Sequence, residues 1–107
     1  MAQAVGGAYG LPHGAMNAIC VPAAMRFNAE VAAEELARFA EAMRAADGIA
    51  RFEELARLSG YERLRDFDVP HDDLPRLAAA AAERRGALDN PRPAGPDEIA
   101  ALFESVW

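Results

Sequence analysis

A chain of 107 residues has room for one small domain, and seventeen acids against eleven Arg and no Lys give it a net charge of −6. That balance argues against nucleic-acid binding through a basic surface and against a polybasic membrane-surface helix. The missing lysine excludes Walker-type phosphate binding and Schiff-base chemistry, and one cysteine permits neither an internal disulfide nor a CxxC site.

Twenty-six of the residues are Ala and none is Thr. Alanine is the best helix former and a poor strand former, so an all-β fold is excluded. No apolar run reaches the ~18 residues of a membrane span, and the start lacks the charged region of a signal peptide. The expectation is a soluble, acidic, cytoplasmic domain. It is all-α, an irregular bundle of about five helices that occupies residues 1–107 as a single helical domain.

In chain order, a short apolar start runs into Gly6-Gly7-Ala8-Tyr9-Gly10-Leu11-Pro12, which reads as a turn rather than a helix. The first convincing helix covers residues 13–27. Met16, Ile19, Cys20, Ala23, Ala24 and Phe27 recur at the 3.6-residue spacing, and a helix apolar nearly all round is a central one. Pro22 lies inside it and should bend it or leave one carbonyl free.

Asn28 is expected to cap a second helix over residues 30–45, with Ala32, Leu36, Phe39, Ala40 and Met43 inward. Asp47 can cap a third helix, with Ile49, Phe52, Leu55 and Ala56 inward and Gly60 as terminator. Residues 61–68 form a connector anchored by Leu64 and Phe67. Asp72-Asp73-Leu74-Pro75 opens a fourth helix, acidic at its positive end, which runs through five alanines to Gly86. Asn90-Pro91-Arg92-Pro93 cannot be helical. Pro96 then opens the last helix, whose buried stripe is Ile99, Leu102, Phe103 and Val106.

Few residues carry chemistry. Ser59, beside Gly60, reads as a local capping group rather than a nucleophile. Cys20, on the apolar stripe, reads as a buried structural thiol, since a reactive one needs an accessible electropositive site. His13 stands at a helix N-terminus after the glycine-rich stretch, with Asn17 one turn on and sharing its face. The helix dipole disfavours its protonated form and so favours the neutral, metal-ligating one. A lone His of this kind is nevertheless more often structural, because a zinc or iron site needs three or four ligands.

Gly7-Ala8-Tyr9-Gly10-Leu11-Pro12-His13-Gly14-Ala15-Met16-Asn17-Ala18, followed by Val21-Pro22 and Arg26-Phe27-Asn28, resembles the iron-containing alcohol dehydrogenase family, which includes the maleylacetate reductases. Leu64-Arg65-Asp66-Phe67, with Asp68 where the family usually has Gly, then Asp72-Asp73-Leu74-Pro75 and Asn90-Pro91-Arg92-Pro93, match in order. The resemblance covers essentially the whole chain. It implies the C-terminal helical metal and substrate domain of an NAD(P)-dependent oxidoreductase.

In that family Fe²⁺, or sometimes Zn²⁺, sits on one Asp and three His. By the resemblance His13 is the last of those ligands, and the others would lie outside this sequence, as would the dinucleotide-binding domain. Asn17 is implied as a residue that supports the ligand, Gly7 and Gly10 as backbone that approaches the NAD(P) cleft, and Gln3 stands where many members carry a further His thought to relay protons.

Two readings follow. The chain is part of a metal-assisted dehydrogenase, incomplete and inactive alone and partnered by a dinucleotide-binding domain or a full-length relative. Alternatively it is a non-catalytic interaction or regulatory module, or a degenerate remnant. A narrower version of the first reading is maleylacetate reductase-like. Apolar surface is expected to be exposed around residues 1–5 and on the 13–27 helix, and could support a homo-oligomer.

Overall fold

The computed structural model describes residues 1–60 and 62–107, so Tyr61, the first residue of the expected connector, lies outside the described residues. The all-α expectation holds: seven α-helices and two short 3-10 turns are present among the described residues. They are α1 (Ala2–Tyr9), α2 (His13–Phe27), α3 (Ala33–Ala42), α4 (Gly48–Leu58), α5 (Leu74–Ala82), α6 (Arg85–Leu88) and α7 (Pro96–Val106).

The centre of the molecule is the pairing of α5 with α7, with α2 and α1 packed beside it. On α5, Leu74, Leu77, Ala78 and Ala81 are buried, spaced by three or four residues on one face. The alanine run is therefore divided: Ala78 and Ala81 face the core while Ala79 and Ala80 are exposed. From α7, Ile99 and Phe103 enter the same core, with Val106 packed against it, whereas Leu102, expected on the same stripe, is half-buried and outside the cluster. Met16, Ile19 and Cys20 close it from α2, and Val5 from α1. The C-terminus is pinned beside it: the Trp107 indole donates to the Val69 carbonyl at 2.9 Å, and the Arg65 guanidinium lies over the ring.

The α3–α4 hairpin stands apart from this cluster and reaches it through α4 against α2. The α3 helix has no fully buried residue. Gly48 is required where the two helices meet, because a Cβ there would come within 2.7 Å of Phe39 and 2.8 Å of the Ala40 backbone. Arg26 on α2 secures the hairpin through Glu53 on α4, with two nitrogen–oxygen contacts of 3.1 and 2.9 Å.

Several local expectations are corrected. Residues 6–9 are helical, not a turn, and Gly10 ends α1 in the left-handed region at φ 64, with the Leu11 amide donating to the Gly6 carbonyl at 3.1 Å. Asn28 terminates α2 rather than capping the next helix, which begins at Ala33 after a turn built on the Asn28 carbonyl. The helix of the alanine run stops at Ala82, where Arg84 becomes extended before α6.

Leu55 is 41% exposed and, with Leu58 at 79%, faces outward instead of inward. Residues 1–5 are not the exposed apolar surface expected, since Ala4 and Val5 are buried against neighbouring helices; the exposed large apolar side chains are Val31, Leu55, Leu58 and Leu88. The α2 helix likewise buries its Met16, Ile19 and Cys20 within the chain, and it continues through Pro22. Asp68, where the family resemblance expects Gly, has φ 57, a conformation Asp tolerates better than most residues.

Two stability predictions follow. Phe103 is completely buried at the α5–α7 contact, so Phe103→Ala should cost about 3–5 kcal/mol in urea unfolding. Asp47 accepts from the Ile49 and Ala50 amides at 2.9 Å each, and the Ala50 bond chiefly holds its carboxyl below the usual range. A folded-state pKa below the unfolded one stabilises at neutral pH, and that contribution is lost as pH falls through the folded value. Thermal melts from neutral to strongly acidic pH should therefore show a shallower acid loss for Asp47→Asn than for the parent. Asp47→Ala should melt lower at neutral pH.

Candidate functional site

The polar face with chemical potential is at the N-terminal end of α2. Gly10 stops α1, Leu11 and Pro12 lead the chain out, and Pro12 (φ −58, ψ 125) starts α2 with the Met16 amide bonded to its carbonyl at 3.1 Å. Because Pro12 sets the helix start, His13 occupies the first turn and Asn17 lies directly above it. His13 is exposed and Asn17 half-buried, and both open onto one groove of about 350 Å³.

That groove runs between the start of α1, the length of α2 and the segment that joins α5 to α7. Gln3, Phe27, Asn28, Arg84, Asn90 and Leu102 share it with His13 and Asn17. Its far wall is built by a clamp that links two distant stretches of sequence. The Asn28 and Asn90 side-chain amides exchange hydrogen bonds of 2.9 and 2.8 Å. The Asn90 amide also donates to the Arg92 carbonyl at 2.5 Å, which holds the turn before Pro93. Arg92 in turn donates to the Phe27 carbonyl at 3.2 Å and places its guanidinium 4.1 Å above the Phe27 ring. The C-terminal end of α2, whose carbonyls lack helical partners, is thereby satisfied by a cation.

The other residues singled out from the sequence go elsewhere. Gly7 lies within α1, exposed, with an Arg84 nitrogen 4.0 Å from where a Cβ would stand. Gly10 is spent on ending that helix, and neither glycine lines the groove with His13. His71 accepts or donates to Glu104 at 2.9 Å and stacks edge-on against Trp107 at 4.7 Å. Ser59 donates to the Ala56 carbonyl at 2.5 Å, a local cap as expected. Cys20 is buried, and burial pushes its thiol up to about 11.

A second polar knot ties α1 to the start of α5: the Tyr9 hydroxyl donates to Asp73, which also takes Arg76 at 2.7 Å. Arg76 first, and Tyr9 second, hold the Asp73 carboxyl below its ordinary value. This knot anchors the helix that carries Gln3 without itself entering the groove.

As a metal site the donor set falls short. Iron and zinc take three or four nitrogen, oxygen or sulfur ligands, and the groove offers one imidazole. No three His, Cys, Asp or Glu side chains converge anywhere among the described residues. The chain alone does not fit a divalent metal, although an exposed imidazole at a helix start, unpaired among the described residues, is suited to be one ligand among several.

All of residues 1–107 match the family described as Fe-containing alcohol dehydrogenase, C-terminal. The chain belongs to the Fe-containing alcohol dehydrogenase family. It is 34% identical, over its full length, to the 1,3-propanediol dehydrogenase of Citrobacter freundii, and spans 31% of that protein. The lactaldehyde reductase of Escherichia coli strain K12 is 33% identical, again over the full chain and 31% of the relative. Maleylacetate reductase 1 of Rhodococcus opacus is 32% identical over the full chain and 30% of the relative.

Among solved structures, a crystal structure of 1,3-propanediol oxidoreductase superposes with a TM-score of 0.91 at 33% identity, covering 99% of this chain and 31% of that one. The fold of this Fe-containing alcohol dehydrogenase segment is thus the helical fold of its relatives. The chain spans about a third of the length of the curated relatives it matches.

Sequence reasoning placed His13 and Asn17 together correctly but missed Arg84, Asn28 and Asn90 as their neighbours. The signal for the two asparagines was present, since Arg26-Phe27-Asn28 and Asn90-Pro91-Arg92-Pro93 were both recognised as motifs. Nothing in either motif says that they touch. The Cys20 assignment has a direct check. The thiol should resist a disulfide-exchange reagent at mildly alkaline pH in the folded protein and react fully once denaturant is added; prompt reaction in the folded state would refute it.

Proposed function

We propose that this chain supplies the helical wall of the metal and substrate cleft of an NAD(P)-dependent alcohol dehydrogenase, with His13 as one ligand of a divalent metal. The observation that carries the reading is the placement of His13: exposed, unpaired among the described residues, and beside Asn17 at the mouth of the groove. Support comes from the family match over the whole chain and from the names of the relatives, which are dehydrogenases and reductases of small oxygenated substrates.

Fe²⁺ or Zn²⁺ held by His13 together with ligands from outside this sequence would supply a Lewis acid for a substrate oxygen. This chain's own residues do the rest that can be assigned to it. His13 presents an exposed imidazole nitrogen at the start of α2. Asn17 offers an amide that can orient that ring or a bound polar group. Gln3 holds no titratable proton near neutral pH, so it can position by hydrogen bonding but cannot relay protons. Phe27 and Leu102 give the groove its apolar lining.

The remaining ligands and the dinucleotide-binding domain belong, in this proposal, to protein outside this sequence. A helical wall with one ligand is inactive by itself. The roles of Gly7 and Gly10 toward NAD(P) rest on the resemblance alone.

A narrower, maleylacetate reductase-like reading is favoured by one observation. The propanediol and lactaldehyde enzymes align over 119 and 120 residues and so carry insertions relative to this chain of 107, whereas the maleylacetate reductases align over 108. The chain has the compact connections of the latter and slightly higher identity to the former.

Desalted chain alone should retain no stoichiometric Fe²⁺ or Zn²⁺ by elemental analysis. Joined to the preceding part of the Citrobacter freundii 1,3-propanediol dehydrogenase, it should restore one metal per chain, and His13→Ala should abolish retention. A His13→Ala chimera that keeps its metal would sink the proposal.

A further inference from the structure

We propose that the outward face of the α3–α4 hairpin docks a second copy of this chain, the two hairpins lying antiparallel about a two-fold axis. The inference goes beyond the metal cleft: it concerns the other side of α2 and rests on neither His13 nor a cofactor.

The apolar surface that folding leaves exposed is gathered there. Among the described residues the exposed large apolar side chains are Val31, Leu55, Leu58 and Leu88, and the first three belong to the hairpin or to the turn that opens it. Gly48 sets the register, because it meets Phe39 and Ala40 where the helices come together, and α3 and α4 run antiparallel from that point. Counting back along α3 and forward along α4 brings Leu55 level with Ala32 and Leu58 level with Val31. Residues far apart in sequence thus form one patch at the open end of the hairpin.

Nothing within the described chain covers that patch. The α4 helix faces α2 through Glu53 and Ala56, on another side, and no hairpin residue lines the groove that holds His13. A protein that brought further metal ligands to His13 would approach from across α2.

The charges on this face select its partner. Val31, Glu35, Arg38 and Ala42 are spaced by four, three and four residues, the interval of one helix face, and all four are exposed. Glu35 lies in the first turn of α3, where the helix dipole favours a carboxylate. Neither Glu35 nor Arg38 has a side-chain hydrogen bond or ion pair among the described residues. An acid and a base side by side, both unpaired, make a surface that complements itself. In an antiparallel pair whose axis passes between Leu36 and Ala37, Glu35 of one copy meets Arg38 of the other, and Val31 meets Ala42. Leu55 and Leu58, beside Val31, add apolar area at each end. A partner of one charge sign would leave half of the stripe opposed. The patch is small for a permanent interface, so the dimer is a weak, reversible one.

Sedimentation equilibrium of the chain at rising concentration tests this. The average mass should climb from that of the 11.5 kDa chain toward twice that value. Leu58→Glu, at a side chain 79% exposed, should keep its helical circular dichroism and weaken association by about tenfold or more, as loss of a buried leucine implies. Glu35→Arg and Arg38→Glu should each weaken it. An equal mixture of those two variants should associate as the parent does, because both ion pairs re-form between unlike copies. Arg57→Glu, on the α2 side of α4, should change nothing.

A chain that stays monomeric to millimolar concentration would overturn the proposal. So would a Leu58→Glu variant that associates like the parent, or a mixture no better than its separate members. Loss of metal retention when Leu58→Glu is placed in the chimera would also overturn it, since the preceding part of the protein would then cover this face. His13→Ala should associate like the parent, so this inference and the metal-cleft reading fail separately.

Discussion

The packing of α7 onto the Leu- and Ala-lined face of α5 governs the rest of the molecule, because it buries the one fully enclosed aromatic side chain among the described residues. Phe103 fits there because Ala78 and Ala81 bring the α5 backbone close. Larger residues at those two positions would hold the helices apart and leave Phe103 partly wet. Once α5 and α7 are joined, α2 has a surface to cover with Met16, Ile19 and Cys20, and α1 follows through Val5.

The functional face depends on this core at one remove. The α2 helix carries His13 at one end and Phe27 and Asn28 at the other, so any shift of α2 moves both ends of the groove. The Asn28–Asn90 amide exchange and the Arg92–Phe27 stack hold the C-terminal end to the segment before α7. The N-terminal end is held by the α1 turn at Gly10 and the Tyr9–Asp73–Arg76 knot. With both ends held, His13, Asn17, Gln3 and Arg84 are polar side chains of the groove without a side-chain partner among the described residues.

Much of this was legible along the chain, and the failures have physical causes. The α7 stripe was readable because apolar residues at three- and four-residue intervals leave no other face to bury. Asp47 was readable as a cap because a carboxylate before an apolar-periodic run has few better uses. The glycines at 6 and 7 were misread as a turn, since local propensity penalises glycine in a helix while burial of Ala4 and Val5 outweighs that penalty here. Leu55 was placed inward by periodicity, but the α3–α4 hairpin packs on only one side and gives it nothing to face.

The helical class, the family and the metal-ligand candidate at His13 were determined by the sequence itself, because composition, hydrophobic period and a contiguous motif are all local properties of a chain. The tertiary structure decided what stands opposite His13. Asn28 and Asn90 are far apart in sequence and become partners only when α2 and the segment before α7 pack together. Gln3 and Arg84 reach the same groove from α1 and from the turn after α5, a neighbourhood that is a property of a surface and not of a sequence. Charge counted along the chain makes this protein acidic; folding sorts that charge so that no described carboxylate lines the groove beside His13.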